Sequence, residues 1–146
     1  MSIVDTTAPA QRERISLEFD LPHRPEKVWR ALTEPALLAE WLLPVIGLKL
    51  ERGAEFTFKT QPVGGWDGVV HCRIAEIETG RKLRYDWGVG AMATVVTFTL
   101  EPTPSGTRLS LVHSGFKPDQ KHNFGGARYG WKMMGGKLED LLAKTP

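Results

Sequence analysis

Hydrophobic residues recur along the chain with two different periods, and the changes from one to the other predict its elements. Ile15, Leu17, Phe19 and Leu21 alternate with Ser16, Glu18 and Asp20, the period of two that a strand with one wet face requires. Pro22 ends that strand. Pro25 suits the first turn of a helix, where no amide donor is needed, and Val28, Ala31 and Leu32 follow at helical spacing. Thr33 and Pro35 then punctuate the chain, and Leu37, Leu38 and Trp41 make a second short apolar face that ends before Pro44.

From Leu48 onward the texture is that of strands. Ala54, Phe56 and Phe58 alternate with Glu55, Thr57 and Lys59, and Gly64-Gly65 marks a turn. Gly68, Val70, Cys72 and Ile74 then lie on one side with Val69, His71 and Arg73 on the other, a stretch whose parity is ambiguous. Leu83, Tyr85 and Trp87 alternate with Arg84 and Asp86, Gly88-Val89-Gly90 turns the chain, and Met92, Thr94, Val96, Phe98 and Leu100 return as the second arm of a hairpin. After the Pro102-Thr103-Pro104-Ser105-Gly106 turn, Leu109, Leu111 and His113 form the inward set of the last strand.

The closing stretch, His122 to Lys144, reads as one long amphipathic helix. Ala127, Trp131, Met134, Leu138, Leu141 and Leu142 fall in one stripe, with Lys132, Glu139, Asp140 and Lys144 outside it. Five glycines sit in this stretch, and each interior glycine costs roughly 1 kcal/mol relative to alanine. Burial of the Trp131 stripe must therefore hold the helix, and Gly130 and Gly135 at its borders would let the backbone sit close to what lies beneath. A strand, two short helices, a run of hairpin-connected strands and one long helix make an antiparallel sheet of about six or seven strands with its helices on one face, in the α+β class.

A length of 146 residues suits one domain with its own core. We expect residues 1–12 to be a disordered tail, since the Asp5-to-Ala10 segment is small and polar, and 13–146 to be the single domain. The 19 basic and 17 acidic residues are mixed along the chain, which leaves no footprint for nucleic acid or an anionic membrane. A lone Cys72, no apolar leader and no run of about 18 apolar residues lead us to expect a cytoplasmic protein without membrane insertion.

Most candidate chemistry can be set aside. Gly88-Val89-Gly90 joins two antiparallel strands and opens no helix, so it cannot cradle a phosphate. Cys72 alternates with Val70 and Ile74 as a small buried residue would, which argues against an activated thiolate. His23, His71, His113 and His122 are scattered, and neither a metal nor another cofactor is expected. His113 stands apart because it shares its parity with Leu109 and Leu111. A buried neutral histidine needs partners, and Tyr85, Thr94 or Asn123 could supply them.

The stretch Leu21-Pro22-His23-Arg24-Pro25-Glu26-Lys27-Val28-Trp29-Arg30-Ala31-Leu32-Thr33-Glu34-Pro35, followed by Trp41, resembles the opening of the START-like (SRPBCC, Bet v-like) helix-grip superfamily. Within it the likeness is greatest to the family named for the activator of the heat-shock protein 90 ATPase, and Arg52-Gly53-Ala54-Glu55-Phe56, Ala75-Glu76-Ile77 through Trp87, and Ser114-Gly115-Phe116 before Gly130-Trp131 agree. The likeness covers about residues 15 to 143; it departs in Ala54, where a second glycine is usual, and in the number of helix glycines. It implies a curved antiparallel sheet gripping the C-terminal helix, with a cavity that in many relatives holds an apolar small molecule. The inward residues fit that picture: Trp41, Phe56, Phe58, Cys72, Tyr85, Trp87, Met92, Thr94, His113, Asn123, Ala127, Trp131 and Met134 are the expected ligand-facing set. Closely packed, the same residues would simply be core.

The leading expectation is a binding protein for a hydrophobic or aromatic ligand, lipid-like or polyketide-like, as a monomer or weak homodimer. The alternative of a cyclase- or dehydrase-like enzyme would use His113 and Tyr85 as base and acid, and enzymatic action would need two or more convergent ionisable groups. A chaperone partner is implied by the family's name alone, and that activity in relatives depends on an additional domain.

Overall fold

The computed structural model describes residues 3–8, 13–62 and 65–146. In chain order the elements are β1 (Ile3–Asp5), β2 (Arg14–Leu21), α1 (Pro25–Thr33), α2 (Pro35–Trp41), β3 (Val45–Ile46), β4 (Glu55–Lys59), β5 (Val69–Glu78), β6 (Lys82–Val89), β7 (Met92–Thr103), β8 (Gly106–Ser114) and α3 (Lys121–Lys144). One antiparallel sheet runs β1-β2-β8-β7-β6-β5-β4-β3, so the two ends of the strand order are its two edges. The α+β helix-grip class is as expected. Among the described residues the sheet has eight strands, more than the expected six or seven, because β1 and β3, of three and two residues, are too short for an alternation to reveal them.

Cross-strand register explains the apolar interior. Phe56, Cys72, Trp87 and Thr94 stand side by side across β4 to β7, and the next row is Ile74, Tyr85, Val96, His113 and Ile15. The ambiguous parity of β5 resolves with Val70, Cys72 and Ile74 buried and His71 and Arg73 exposed. An irregularity between Ile74 and Glu76 then skips Ala75, so that Ile77 comes opposite Leu83 on the inner side. The β6–β7 loop is Gly90-Ala91, with Gly90 at φ 56° in the first central position; Gly88 and Val89, expected in the turn, stay paired in the ladder. The predicted Gly64-Gly65 turn falls partly outside the described residues.

Helix α3 lies across the inner face, but its two halves are held differently. Leu138, Leu141 and Leu142 are buried, and Lys27 Nζ donates at 2.8 Å to the Leu142 carbonyl, which also accepts the long 3.4 Å capping bond from the Thr145 N–H. Gly135 lets the backbone press on the sheet, since a Cβ there would collide with the Phe19 ring and lie 3.0 Å from Ile3 Cδ1. The expected close approach at Gly130 does not occur; only Met134 Cε comes near, at 3.8 Å. In the first half nothing lies within 4 Å of a Cβ at Gly125 or Gly126, Gln120 gives no side-chain cap, and Phe124 and Trp131 are the buried anchors.

The expected disordered start does not hold for Ile3 to Ala8, whereas residues 1–2 and 9–12 lie outside the described residues. Strand β1 pairs with β2, and Asp5 reaches α3: Arg128 Nε and Lys132 Nζ approach its Oδ2 at 2.6 and 2.8 Å. Polarity misled the sequence reading here, because Asp5 is a tether to cations 123 or more residues away. Partial burial alone would push this carboxyl up, but hydrogen bonds from Arg128, Lys132 and Thr7 outweigh it and hold it well below its ordinary 3.8.

Among the described residues the inner aromatics pack closely against one another, as a solid core would, one of the two arrangements that the sequence left open. Phe56, Phe58, Tyr85, Trp87, Phe98 and Trp131 form a chain of ring contacts with centroids 5.3 to 6.4 Å apart. The space left between Leu32, Leu38, Leu48, Phe56, Phe58, Ile74, Leu83 and Tyr85 is about 10 Å³, enough for about one water.

Two stability measurements check this account. Gly135→Ala will destabilise the fold by about 1–3 kcal/mol in urea unfolding despite alanine's better helix propensity, while Gly125→Ala will stabilise it by up to about 1 kcal/mol. Equal signs for the two would refute the close contact at Phe19. Asp5→Asn will cost about 1–2 kcal/mol at neutral pH. Because the carboxyl's pKa is lowered in the folded state, its contribution is present above about 4 and fades as the pH falls further, so the penalty must shrink in acid.

Candidate functional site

At the centre of this apolar interior lies one polar chain. His113, on the interior strand β8, is 1% exposed and has both ring nitrogens engaged: Trp131 Nε1 lies 2.9 Å from Nδ1, and Thr94 Oγ1 lies 2.7 Å from Nε2. The Thr94 hydroxyl also donates to the Trp87 carbonyl at 2.7 Å. An indole N–H can only donate and a carbonyl can only accept, so the direction of the chain is determined throughout. Trp131 donates to Nδ1, Nε2–H donates to Thr94, and Thr94 donates to Trp87. His113 is thereby neutral and in the Nε2–H tautomer.

Its surroundings agree with that state. The rings of Phe116, Trp87 and Trp131 stand 4.7, 5.9 and 6.0 Å from the imidazole, and burial pushes its pKa down from 6.5 to about 3. Phe116 reaches it because Gly115, at φ 99°, turns the chain back after β8, and Phe124 packs edge-on against Phe116 at 5.4 Å. Phe116, Phe124 and Phe98 were not in the expected ligand-facing set. Phe98 shares the alternation of Met92, Thr94 and Val96 that the sequence does show, whereas no period after Ser114 places Phe116 and Phe124.

Of the expected set, Phe56, Phe58, Cys72, Tyr85, Trp87, Met92, Thr94, His113 and Trp131 are brought together in the interior, with Ala127 and Met134 half-buried at its border. Trp41 is buried too, but its indole donates to the Ala31 carbonyl at 2.8 Å and ties α2 to α1. Asn123 is exposed on α3 and is not the partner of His113, since Thr94 and Trp131 take both ring nitrogens. Tyr85 is not its partner either, since Thr94 and Trp131 occupy both nitrogens.

The arrangement is poorly suited to proton transfer. A histidine held near 3 is a weak base, and burial raises the Tyr85 hydroxyl well above 10, which makes it a weak acid. Burial likewise pushes the Cys72 thiol up to about 12, far from thiolate chemistry. Among the described residues no cluster of three or more His, Cys, Asp or Glu side chains could hold a metal ion, and no helix is long and apolar enough to cross a membrane. The larger depressions lie on the outside. One of about 800 Å³ is lined by His23, Arg24, Pro25, Glu26, Lys27, Arg30 and Pro146, and those of about 380 Å³ lie beside His71 and beside Ser114; all are open to solvent.

Comparison with known proteins places this geometry in a family. A protein of Mesorhizobium loti is 40% identical, with 91% of this chain and 98% of that one aligned at a TM-score of 0.82. Proteins of Nitrosomonas europaea (24% identity, 94% and 99% covered, TM-score 0.77) and Micromonospora echinospora (22%, 97% and 84%, 0.74) share the fold. No curated protein matches the chain. Residues 22–143 match the family described as Activator of Hsp90 ATPase homolog 1-like protein. The chain, built on the START-like helix-grip fold, belongs to that family.

Proposed function

We propose that this chain binds a hydrophobic, aromatic small molecule of lipid-like or polyketide-like character between the sheet and α3, in space that the closed structure fills with Trp131 and Phe124. The observation that carries the reading is the His113 chain, a fully buried polar group beneath the more weakly packed half of the helix. Cores rarely keep such a group where an apolar residue would pack as well. Displacing the first half of α3 uncovers it at the floor of an aromatic cleft, while Leu138, Leu141 and Leu142 keep the second half docked.

Magnitudes set how such binding behaves. Exposing Trp131 and Phe124 costs roughly 2–3 kcal/mol each, and loss of the Trp131–His113 hydrogen bond about 1 more. The open form is then populated at well under about one part in a thousand, and the apparent affinity falls by the same factor. A ligand of nanomolar intrinsic affinity would bind at roughly 5 to 100 micromolar concentration. Proton transfer by His113 and Tyr85 is the weaker reading, since neither group is poised near neutrality and the two do not meet.

A two-dimensional NMR titration of the indole N–H signals with aromatic metabolites tests the proposal. Saturable shifts are expected at Trp131 and Trp87 but not at Trp41, whose N–H is committed to Ala31. A folded protein whose Trp131 signal stays in place with every compound up to millimolar concentration would refute it. The closed state also predicts a pH dependence. Because the His113 pKa is lowered to about 3 in the fold, its contribution is whole above about 6.5 and is lost as the pH falls toward 3, a change of a few kcal/mol at most. Denaturation of wild type against His113→Asn over that range will show the difference, and parallel curves would contradict the buried neutral imidazole.

A further inference from the structure

We infer that the ligand is a flat aromatic molecule carrying a hydrogen-bond donor, an O–H or N–H of the phenol or indole type, which takes the place of the Trp131 indole on His113 Nδ1. The inference rests on the displacement reading above and narrows its chemistry. Its basis is the direction of the buried chain. The Trp87 carbonyl can only accept, so Thr94 must give it the hydroxyl proton; Thr94 can then only accept from His113, and Nε2 must carry the imidazole hydrogen. Nδ1 is left as a bare acceptor, satisfied in the closed form by Trp131 Nε1–H at 2.9 Å.

Removing Trp131 from this position leaves one unfilled requirement and one shape. The requirement is a donor, because a buried acceptor without a partner is costly, and a carbonyl, ether or carboxylate oxygen would set lone pair against lone pair. The shape is the flat outline of the indole itself, bounded by Trp87, tilted 53° to it, and by Phe98, edge-on at 81°, with Phe116 against the imidazole. Reversing the chain is not available to the protein, since its far end is a backbone carbonyl within the β6–β7 ladder. No charged side chain lies among these neighbours; Thr94, Trp87, Phe116 and Trp131 surround the ring, and Ile15 and Val96 stand beside it on the adjacent strands. A neutral donor is therefore the matching group. Sites built to satisfy one hydrogen bond discriminate strongly against analogues that lack it.

Three measurements test this. In wild-type protein, long-range proton–nitrogen spectra should show the His113 hydrogen on Nε2 and a bare Nδ1; hydrogen on Nδ1 overturns the inference outright. With wild-type protein, 2-naphthol should bind at least about tenfold more tightly than 2-methoxynaphthalene, which keeps the shape without the donor. With Trp131→Ala, which empties the indole's own space, indole should raise the melting temperature and 1-methylindole should do so much less. Equal effects of the members of either pair overturn the donor requirement. If neither naphthalene binds wild type while Trp131→Ala still prefers indole to 1-methylindole, the displacement reading falls and the donor requirement at Nδ1 stands.

Discussion

The structure depends on the seating of Trp131 against the sheet. Its indole meets Trp87, Phe98 and His113 at once, and its N–H satisfies the single acceptor that the buried imidazole presents. Area alone would make this contact favourable; the hydrogen bond makes it specific, because any other rotation of α3 would leave Nδ1 buried and unpaired. The register of the helix on the sheet is thus set by one polar contact inside an apolar layer.

The two halves of α3 answer to different constraints. Toward its C-terminal end the helix is pressed onto β2 through Gly135, a contact only glycine allows, and three leucines and the Lys27 bond to Leu142 hold it there. Toward its start, glycines without neighbours supply no packing, and Phe124, Trp131 and the Asp5 ion pairs carry the attachment. Partly exposed ion pairs contribute about 1 kcal/mol or less each, so the aromatic anchors dominate. Such a division places the half of the helix with fewer packing contacts over the buried His113–Thr94 pair, the distribution that the proposed displacement requires.

The same burial that makes His113 a good hydrogen-bonding anchor makes it a poor base. Desolvation favours its neutral form, and the ring contacts around it leave no counter-charge to restore basicity. Tyr85 is subject to the same effect in the opposite direction of titration. Proton transfer would need groups poised near neutrality, and burial holds both of these residues away from it.

Much of this was readable in the order of residues. Alternation predicted β2, β4, β6, β7 and the inward set of β8, including His113, because a period of two allows a strand only one buried face. The stripe through Trp131 and Leu138 predicted α3, and the turn residues separated the elements. What required tertiary structure was whatever depends on residues distant in sequence. Strands of two or three residues show no period, so β1 and β3 emerged only as partners of β2 and β4. Asp5 looked like part of a polar tail until Arg128 and Lys132 came beside it. Gly130 and Gly135 were indistinguishable in the pattern, and only the position of Phe19 separated a necessary glycine from an unconstrained one. Whether the inward aromatics enclosed a cavity or filled one was a question of packing in three dimensions, which the spacing of residues along a chain does not contain. His113 followed from sequence as a buried imidazole in need of partners; that Thr94 would be one was decided by the pairing of β7 with β8, and that Trp131 would be the other, with Tyr85 and Asn123 excluded, by the crossing of α3 over the sheet.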